Sequence, residues 1–492
     1  MRCYCRVHGR RIAKMKSIEN LTLSGLKWTS LSKLAAQLIS WGMTLVVLRL
    51  LAPSDYGLMA IVAVFVSLLT NIAELGLGAS LVQSKELTKQ EISGVTGVVV
   101  TANIVMFVCL VAAAPLIARI YAEPRLTTLI QVAALQLVFS AVVTVPQSLA
   151  YRDMQFRRLA LTDLFAAVAG GAATIAMAWH GFGVWSLLLA NVIQGLLRTL
   201  LLSWGRWPRA TFRFGSVRSH LEFGSIVAGL SVASQLINQS DIMIAGRVLT
   251  QQALGLYSVS LHFATLPMSK IMGTINQVAF PAVAKLQREP ERLRQRLLEA
   301  TRLLMLITVP LLWGISCTAP EFVAVVMGAK WLQAVRPLQA ICLVIPLQML
   351  NAFYSTAALG VRDVRANLYN LAASATVLPG AFFVGAKWGV NGMAYAWLLA
   401  IPLVFALRLP GTMRSVGVRP RDLFAAAWSP FAAAGIMYLV VGASRMAVGG
   451  IGDFVRLVML IGIGAGTYCA VVALIDRRAL SDVARFAGAL RR

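Results

Sequence analysis

A few ionisable side chains lie deep within the long apolar stretches of this sequence. They are Lys33, Glu74, Asp163, Asp241, His262 and Lys270. An ionisable group inside a membrane is costly, and it usually marks a substrate or ion pathway. Lys33 and Lys270 are therefore candidate substrate-binding residues, and Glu74 and Asp241 are candidates for ion coupling. Asp163 follows Arg157 and Arg158 closely, so an interfacial position is an alternative for it.

Uncharged polar residues accompany these charges. The candidate substrate-binding amides are Gln37, Asn71, Gln235, Asn238, Gln239 and Asn276, and Gln277 lies beside the last of them. Gln235, Asn238 and Gln239 have the i, i+3, i+4 spacing that places side chains on one side of a helix. Each amide alone could form an interhelical hydrogen bond. As a cluster near Asp241, they favour a water-filled central cavity.

The elements that must position these residues are membrane-spanning helices. The 492 residues are 58% hydrophobic and only 13% charged, whereas a soluble protein has roughly 25% charged residues. Apolar runs of about 20 residues recur along the chain, and in lipid such runs must be helical. We predict an all-α polytopic membrane protein with about fourteen spans. Their approximate bounds are 27–49, 57–82, 92–118, 127–150, 159–180, 184–204, 221–247, 254–280, 298–318, 333–360, 366–386, 390–409, 423–444 and 454–475.

Basic residues set the predicted topology. The formal net charge is +26, which in a soluble protein would suggest nucleic-acid binding. Here Lys and Arg concentrate at the N-terminus and in every second loop, the pattern that orients membrane proteins. We therefore expect both termini in the cytoplasm and no nucleic-acid partner.

The chain contains an internal duplication. Arg49 and Gly57 enclose a short polar turn, and Arg247 and Gly255 enclose another at an offset of 198 residues. The repeats have an even number of spans and therefore share one orientation, as in many alternating-access transporters. The predicted organisation is an N-terminal segment 1–26, an N-lobe 27–204, a linker 205–220, a C-lobe 221–409, an appended helix pair 423–475 and a tail 476–492.

The duplication separates two kinds of charge. Four buried charges have no charged counterpart at the offset of 198 residues. The pairs aligned by this offset are Lys33 with Ser231, Glu74 with Met272, Asp241 with Met43 and Lys270 with Ile72. Because they are not duplicated, they favour recognition of an asymmetric substrate. Arg49 and Arg247 do align with one another at this offset. This match favours a role as paired gate or structural residues, and direct substrate contact is the alternative.

Several chemistries are not indicated. The sequence has no phosphate-binding P-loop, its four histidines are scattered, and its six cysteines lack metal-ligand spacing. We expect no metal, no cofactor, no disulfide and no enzymatic site. Transport would draw on a proton or sodium gradient, or on consumption of the product. A basic amphipathic segment near 284–296 is expected to lie along the membrane surface.

Two motifs carry a family resemblance. The turn Leu51–Gly57 reads L-x-P-x-x-Y-G, and the segment 74–83 reads E-L-G-L-x-x-x-L-V-Q. In these the chain resembles the Wzx-type polysaccharide flippases of the multidrug/oligosaccharidyl-lipid/polysaccharide exporter superfamily. The resemblance covers essentially the whole length and is greatest to the exopolysaccharide group that handles colanic acid or xanthan.

The resemblance implies a substrate, an undecaprenyl-diphosphate-linked oligosaccharide turned to the periplasmic leaflet of the bacterial inner membrane. It also implies a MATE-like arrangement of two six-helix lobes with a cationic cavity, in which Lys33 and Lys270 could bind the diphosphate. A polysaccharide polymerase and export machinery would be partners. The alternatives are a cation-coupled drug antiporter, a lipid II flippase and, less favoured, a membrane polysaccharide polymerase.

Overall fold

The computed structural model describes most of the chain. The described residues are 41–74, 81, 88–205, 210–211, 229, 231–287, 289–361, 364–447 and 451–476, without the side chains of 274–282, 284–285 and 364–367. Every regular element in these ranges is helical, and eleven of the helices described are long and apolar enough to cross a membrane. The prediction of an all-helical, multi-pass membrane protein is confirmed. The count of fourteen spans stays a prediction.

The helices follow one another through short turns. In chain order they are α1 Trp41–Leu50, α2 Pro53–Glu74, α3 Lys89–Ile120, α4 Arg125–Ala133, α5 Leu135–Arg152, α6 Phe156–Trp179, α7 Val184–Ser203, α8 Ser240–Val248, α9 Gln251–Leu286, α10 Pro290–Cys317, α11 Ala319–Phe322, α12 Val335–Gly360, α13 Val364–Ala386, α14 Gly389–Val416, α15 Pro420–Ala447 and α16 Asp453–Ile475. A π-helical turn, Val323–Met327, and a 3₁₀ helix, Ala329–Ala334, separate α11 from α12.

The described residues fall into two compact units. Unit 1 contains those up to Leu51 and from Ile61 to Gln235, and unit 2 contains Ala52–Ala60 and those from Leu236 onward. Helix α2 therefore contributes its first residues to unit 2 and the remainder to unit 1.

Unit 1 is built from antiparallel neighbours joined by short turns. Helix α3 begins with a capping box, in which the Thr88 hydroxyl accepts the Glu91 N–H and the Glu91 carboxylate accepts the Thr88 N–H. These bonds satisfy donors that a helix N-terminus otherwise leaves unpaired. Helices α6 and α7 pack along one another. The turn between them ends at Gly183, whose φ of 55° favours glycine.

In unit 2 the last two helices are attached to α10 by polar contacts. Arg294 forms an ion pair of 2.7 Å with Asp422, and Arg302 pairs with Asp476. Farther along, the Tyr468 hydroxyl donates to the Leu306 carbonyl at 3.0 Å. Helices α15 and α16, predicted as an appendage without a counterpart in the first repeat, are thus an integral part of unit 2.

The two repeated turns also meet in unit 2. The start of α2 crosses the start of α9, and the crossing point is formed by Gly57 and Gly255. A Cβ atom added to either glycine would clash with the backbone of the other helix, at the carbonyl oxygen of Gln251 or of Pro53. The adjacent Tyr56 contacts Trp331 edge to face, with 5.4 Å between the ring centroids. The two glycines that reveal the sequence repeat are therefore also the residues at which the two turns contact one another.

Candidate functional site

Some predicted site residues lie outside the described part of the chain. Lys33 and Gln37 precede residue 41, and the side chain of Asn276 is not described. Their predicted roles stay predictions.

In unit 1, Arg198 forms an ion pair with one carboxylate and lies near a second. Its Nε atom is 3.0 Å from Oδ1 of Asp163, with both side chains partly exposed. Glu74, at the end of α2, is close enough to Arg198 to feel its charge. We call these three residues the Arg198 cluster. The cluster contains one positive and two negative side chains, so a proton or a cation could complete its charge balance.

The described candidate amides belong to both units: Asn71 and Gln235 to unit 1, and Asn238 and Gln239 to unit 2. Asn71, one turn before Glu74 on α2, is exposed. Gln235 donates through its Nε2 to the hydroxyl of Ser67 on α2 at 3.2 Å, which is an interhelical hydrogen bond of the kind expected in membrane bundles. Asn238 is exposed and Gln239 is half-buried. One of the three clustered amides therefore joins helices, and Asn238 remains accessible.

In unit 2, Asp241 is almost completely buried, with 1% of its surface exposed. Its Oδ2 accepts a hydrogen bond of 2.7 Å from the Tyr257 hydroxyl. That hydroxyl in turn accepts a bond of 2.8 Å from Nε1 of Trp397. The other oxygen, Oδ1, is 2.7 Å from the N–H of Ile242 in the first turn of α8, where the helix dipole favours an anion. We call this chain of donors the Asp241 network.

The Asp241 network can hold a carboxylate in an apolar interior. A carboxylate has about four lone-pair sites, so acceptance of two hydrogen bonds leaves capacity for a proton or a cation. Among the described residues, no group of three or more His, Cys, Asp or Glu side chains is placed to hold a metal ion. Asp241 is therefore suited to a structural role or to transient ion binding.

The predicted basic residues occupy exposed positions. Arg247 is in the last turn of α8, and Arg49 has the equivalent place in α1. A basic side chain near a helix C-terminus is favoured by the helix dipole. This effect is a structural explanation for the presence of an arginine at the same position in both helices. Lys270 is exposed on α9.

Sequence reasoning missed Tyr257 and Trp397. They lie 16 and 140 residues from the groups they contact, so no periodic pattern connects them. It also missed Glu321, which lies between two predicted spans and was not considered as a buried group. Glu321 is only 3% exposed. An acidic residue in a short turn carries no sequence signal of such burial.

Solved structures define the class of fold. The lipid II flippase MurJ, in an inward closed conformation, superposes with a TM-score of 0.71 at 15% identity, covering 92% of this chain and 99% of that one. An inward-facing multidrug resistance MATE family transporter of the MOP superfamily gives a TM-score of 0.58 at 14% identity, covering 79% and 94%. The fold of this chain is therefore similar to the fold of these two solved transporters.

Sequence comparison identifies the family. The chain belongs to the polysaccharide biosynthesis protein family, which matches residues 46–336. The teichuronic acid biosynthesis protein TuaB of Bacillus subtilis is 26% identical over 68% of this chain and 70% of its own length. The lipopolysaccharide biosynthesis protein WzxC of Escherichia coli is 26% identical over 67% and 68%. The predicted resemblance to the polysaccharide branch is confirmed.

Proposed function

We propose that this protein is a flippase for lipid-linked oligosaccharides. It would turn an undecaprenyl-diphosphate-linked repeat unit across the bacterial inner membrane by alternating access, for exopolysaccharide, capsule or O-antigen synthesis. The observation that carries the proposal is the combination of a polysaccharide biosynthesis family match with a flippase-like fold. Such a protein transports its substrate and does not alter it covalently.

The proposed division of labour follows the chemistry of the side chains. Lys33 and Lys270 bind the diphosphate as point charges. The candidate amides contact the sugar hydroxyls, and the exposed side chains of Asn71 and Asn238 are accessible for such contacts. Glu74 and Asp241 are the candidates for coupling to a proton or sodium gradient.

The direct test is transport in proteoliposomes. The purified protein is reconstituted with a fluorescent undecaprenyl-diphosphate oligosaccharide, and the fraction in the outer leaflet is measured with a membrane-impermeant quencher. We expect protein-dependent equilibration of the labelled lipid between the leaflets. Equal rates in liposomes with and without protein would contradict the proposed function.

A second candidate is lipid II itself, because the lipid II flippase MurJ superposes over 99% of its length. Lipid II also carries a sugar unit on an undecaprenyl diphosphate, so the same assay accepts it as a competing substrate. Rescue of a strain depleted of its own lipid II flippase would favour this candidate. Drug sensitivity of a deletion strain with intact surface polysaccharide would instead favour an antiporter.

The two lysines provide a prediction for the diphosphate site. Lys33→Ala or Lys270→Ala should lower the transport rate about tenfold or more, since a charge-assisted hydrogen bond contributes about 1.5–3 kcal/mol. The measurement is the quencher assay at subsaturating substrate. Lys387→Ala is the matched control, because Lys387 lies in the turn between α13 and α14, over the Phe383 ring. Unchanged transport by the double lysine variant would remove both residues from the site.

Glu74 provides a prediction for coupling. Glu74→Gln should abolish the acceleration of transport by an imposed proton or sodium gradient while leaving slow equilibration intact. Asp163→Asn is the control, because Asp163 is the other carboxylate of the Arg198 cluster and already has an ion-pair partner. A gradient response that survives in Glu74→Gln would exclude Glu74 as the coupling group.

A further inference from the structure

Helix α9 has an exposed surface without large hydrophobic side chains. Among the residues of α9 whose side chains are described, the exposed ones are Gln252, His262, Ser269, Lys270 and Gly273. Helix α16, in contrast, exposes apolar side chains such as Phe454 and Leu474. Exposed atoms within a membrane contact either lipid or water, and polar groups are costly in lipid. The exposed surface of α9 therefore faces water.

The exposed residues in the middle of α9 share one side of the helix. Ser269, Lys270 and Gly273 follow His262 at i+7, i+8 and i+11, which is the spacing of a single helical stripe. Thr265, at i+3, is half-buried on the same side. We call these five residues the polar face of α9. The helix has 36 residues, yet it is not among the eleven described helices that are both long and apolar enough to be candidate spans. A helix with one side in water has such a composition.

The hydroxyl groups of the polar face of α9 present acceptors to a ligand. Thr265 donates to the Leu261 carbonyl at 2.8 Å. Ser269 donates to the Leu266 carbonyl, also at 2.8 Å. Each hydroxyl has one proton to donate, so its oxygen lone pairs can still accept a hydrogen bond from a ligand.

His262 is the residue of this face to which the sequence assigned no role. Its ring contacts Phe263 edge to face, with 5.9 Å between the ring centroids. Phe263 in turn contacts Phe322 edge to face at 5.8 Å. These contacts support the imidazole from the side of the protein, and the residue remains exposed. A neutral imidazole has one donor and one acceptor nitrogen, which suits the hydroxyl groups of a sugar.

The distance between His262 and Lys270 separates two parts of a substrate. The eight-residue spacing corresponds to about 12 Å along the helix axis. A diphosphate bound by Lys270 is too short to reach His262 across this distance. Sugars attached to that diphosphate extend along the polar face of α9 and can reach it.

We propose that His262 binds the oligosaccharide of the transported lipid. The inference rests on the proposed flippase function and extends it to the recognition of sugars. Lys270 binds the diphosphate, and the His262 imidazole exchanges hydrogen bonds with a sugar farther along α9. The Thr265 and Ser269 hydroxyls accept bonds from sugar hydroxyls between these two positions. His262 therefore distinguishes substrates by the length of their saccharide.

The test compares two substrates in the proteoliposome quencher assay. One fluorescent lipid is undecaprenyl diphosphate with the full oligosaccharide, and the other carries a single sugar. His262→Phe keeps a ring but removes the hydrogen bonds, His262→Ala removes the ring, and His262→Gln retains a donor and an acceptor. His180→Phe is the matched control, because His180 is exposed at the end of α6. The melting temperature of each purified variant is recorded to confirm that it folds.

We expect His262→Phe and His262→Ala to slow transport of the oligosaccharide lipid about threefold to tenfold, as loss of one neutral hydrogen bond would produce. Transport of the single-sugar lipid should be unchanged, and His262→Gln should restore most of the rate. Lys270→Ala should slow both lipids, since both carry the diphosphate. A wild-type rate for His262→Phe with the oligosaccharide lipid, or an equal reduction with both lipids, would overturn the assignment of His262 alone. Transport of neither lipid by the wild type would overturn the proposed function together with it.

Discussion

Replacement of Gly255 by alanine should destabilise the folded protein, although alanine is ordinarily the better residue in a helix. At an open helical position the change from glycine to alanine stabilises by roughly 0.5–1 kcal/mol. At the Gly57–Gly255 crossing the added methyl group would clash with the carbonyl oxygen of Pro53 on α2. Backbone cannot rotate away as a flexible side chain can, so the two helices must separate. Overpacking of this kind costs about 1–3 kcal/mol.

Helix α9 also provides the control for this prediction. Gly273 is exposed, and an added Cβ there meets no atom within 4 Å. Gly273→Ala should therefore raise the melting temperature slightly, Gly255→Ala should lower it, and Gly57→Ala should behave like Gly255→Ala. The measurement is thermal unfolding of purified protein, followed by the loss of the monodisperse peak in size-exclusion chromatography. A rise in melting temperature for both Gly255→Ala and Gly273→Ala would show that the crossing is not tightly packed.

The sequence predicted an all-helical membrane protein correctly because long apolar runs are local signals. Helices α3 and α14 include the predicted spans 92–118 and 390–409, and extend beyond them. Hydropathy identifies the part of a helix that contacts lipid, whereas the capping residues Thr88 and Glu91 determine where α3 begins.

Contacts between helices could not be predicted from local sequence patterns. The offset of 198 residues relates Gly57 to Gly255, but it contains no information that the two touch. Likewise, Asp241 stood out as a charge in an apolar run, while the groups that surround it are distant in sequence. Glu321 was missed because α11 and the π-helical turn pack back into unit 2, which makes a predicted loop part of the interior. The sequence indicates which residues must be buried, but only the structure shows which residues they contact.

Tyr257→Phe should be among the most destabilising conservative changes in unit 2. The Tyr257 hydroxyl links the Asp241 carboxylate to the Trp397 indole, donating to one and accepting from the other. Its removal leaves Oδ2 of Asp241 without that donor in an interior where the residue is 1% exposed. A buried polar group left unsatisfied costs about 1–3 kcal/mol, and more when it is charged. Tyr395→Phe on α14 is the control, since Tyr395 is 50% exposed.

A double-mutant cycle separates the structural role of Asp241 from its predicted role in coupling. If the carboxylate and the hydroxyl act together, Asp241→Asn combined with Tyr257→Phe should cost less than the sum of the single changes, with an interaction energy of about 0.5–3 kcal/mol. Additive effects on the melting temperature would contradict the Asp241 network. Transport by Asp241→Asn then decides its function: a variant that folds and equilibrates substrate but no longer responds to a gradient has lost an ion carrier. A variant that keeps the response has lost only a structural hydrogen bond, which would leave Glu74 as the remaining candidate for coupling.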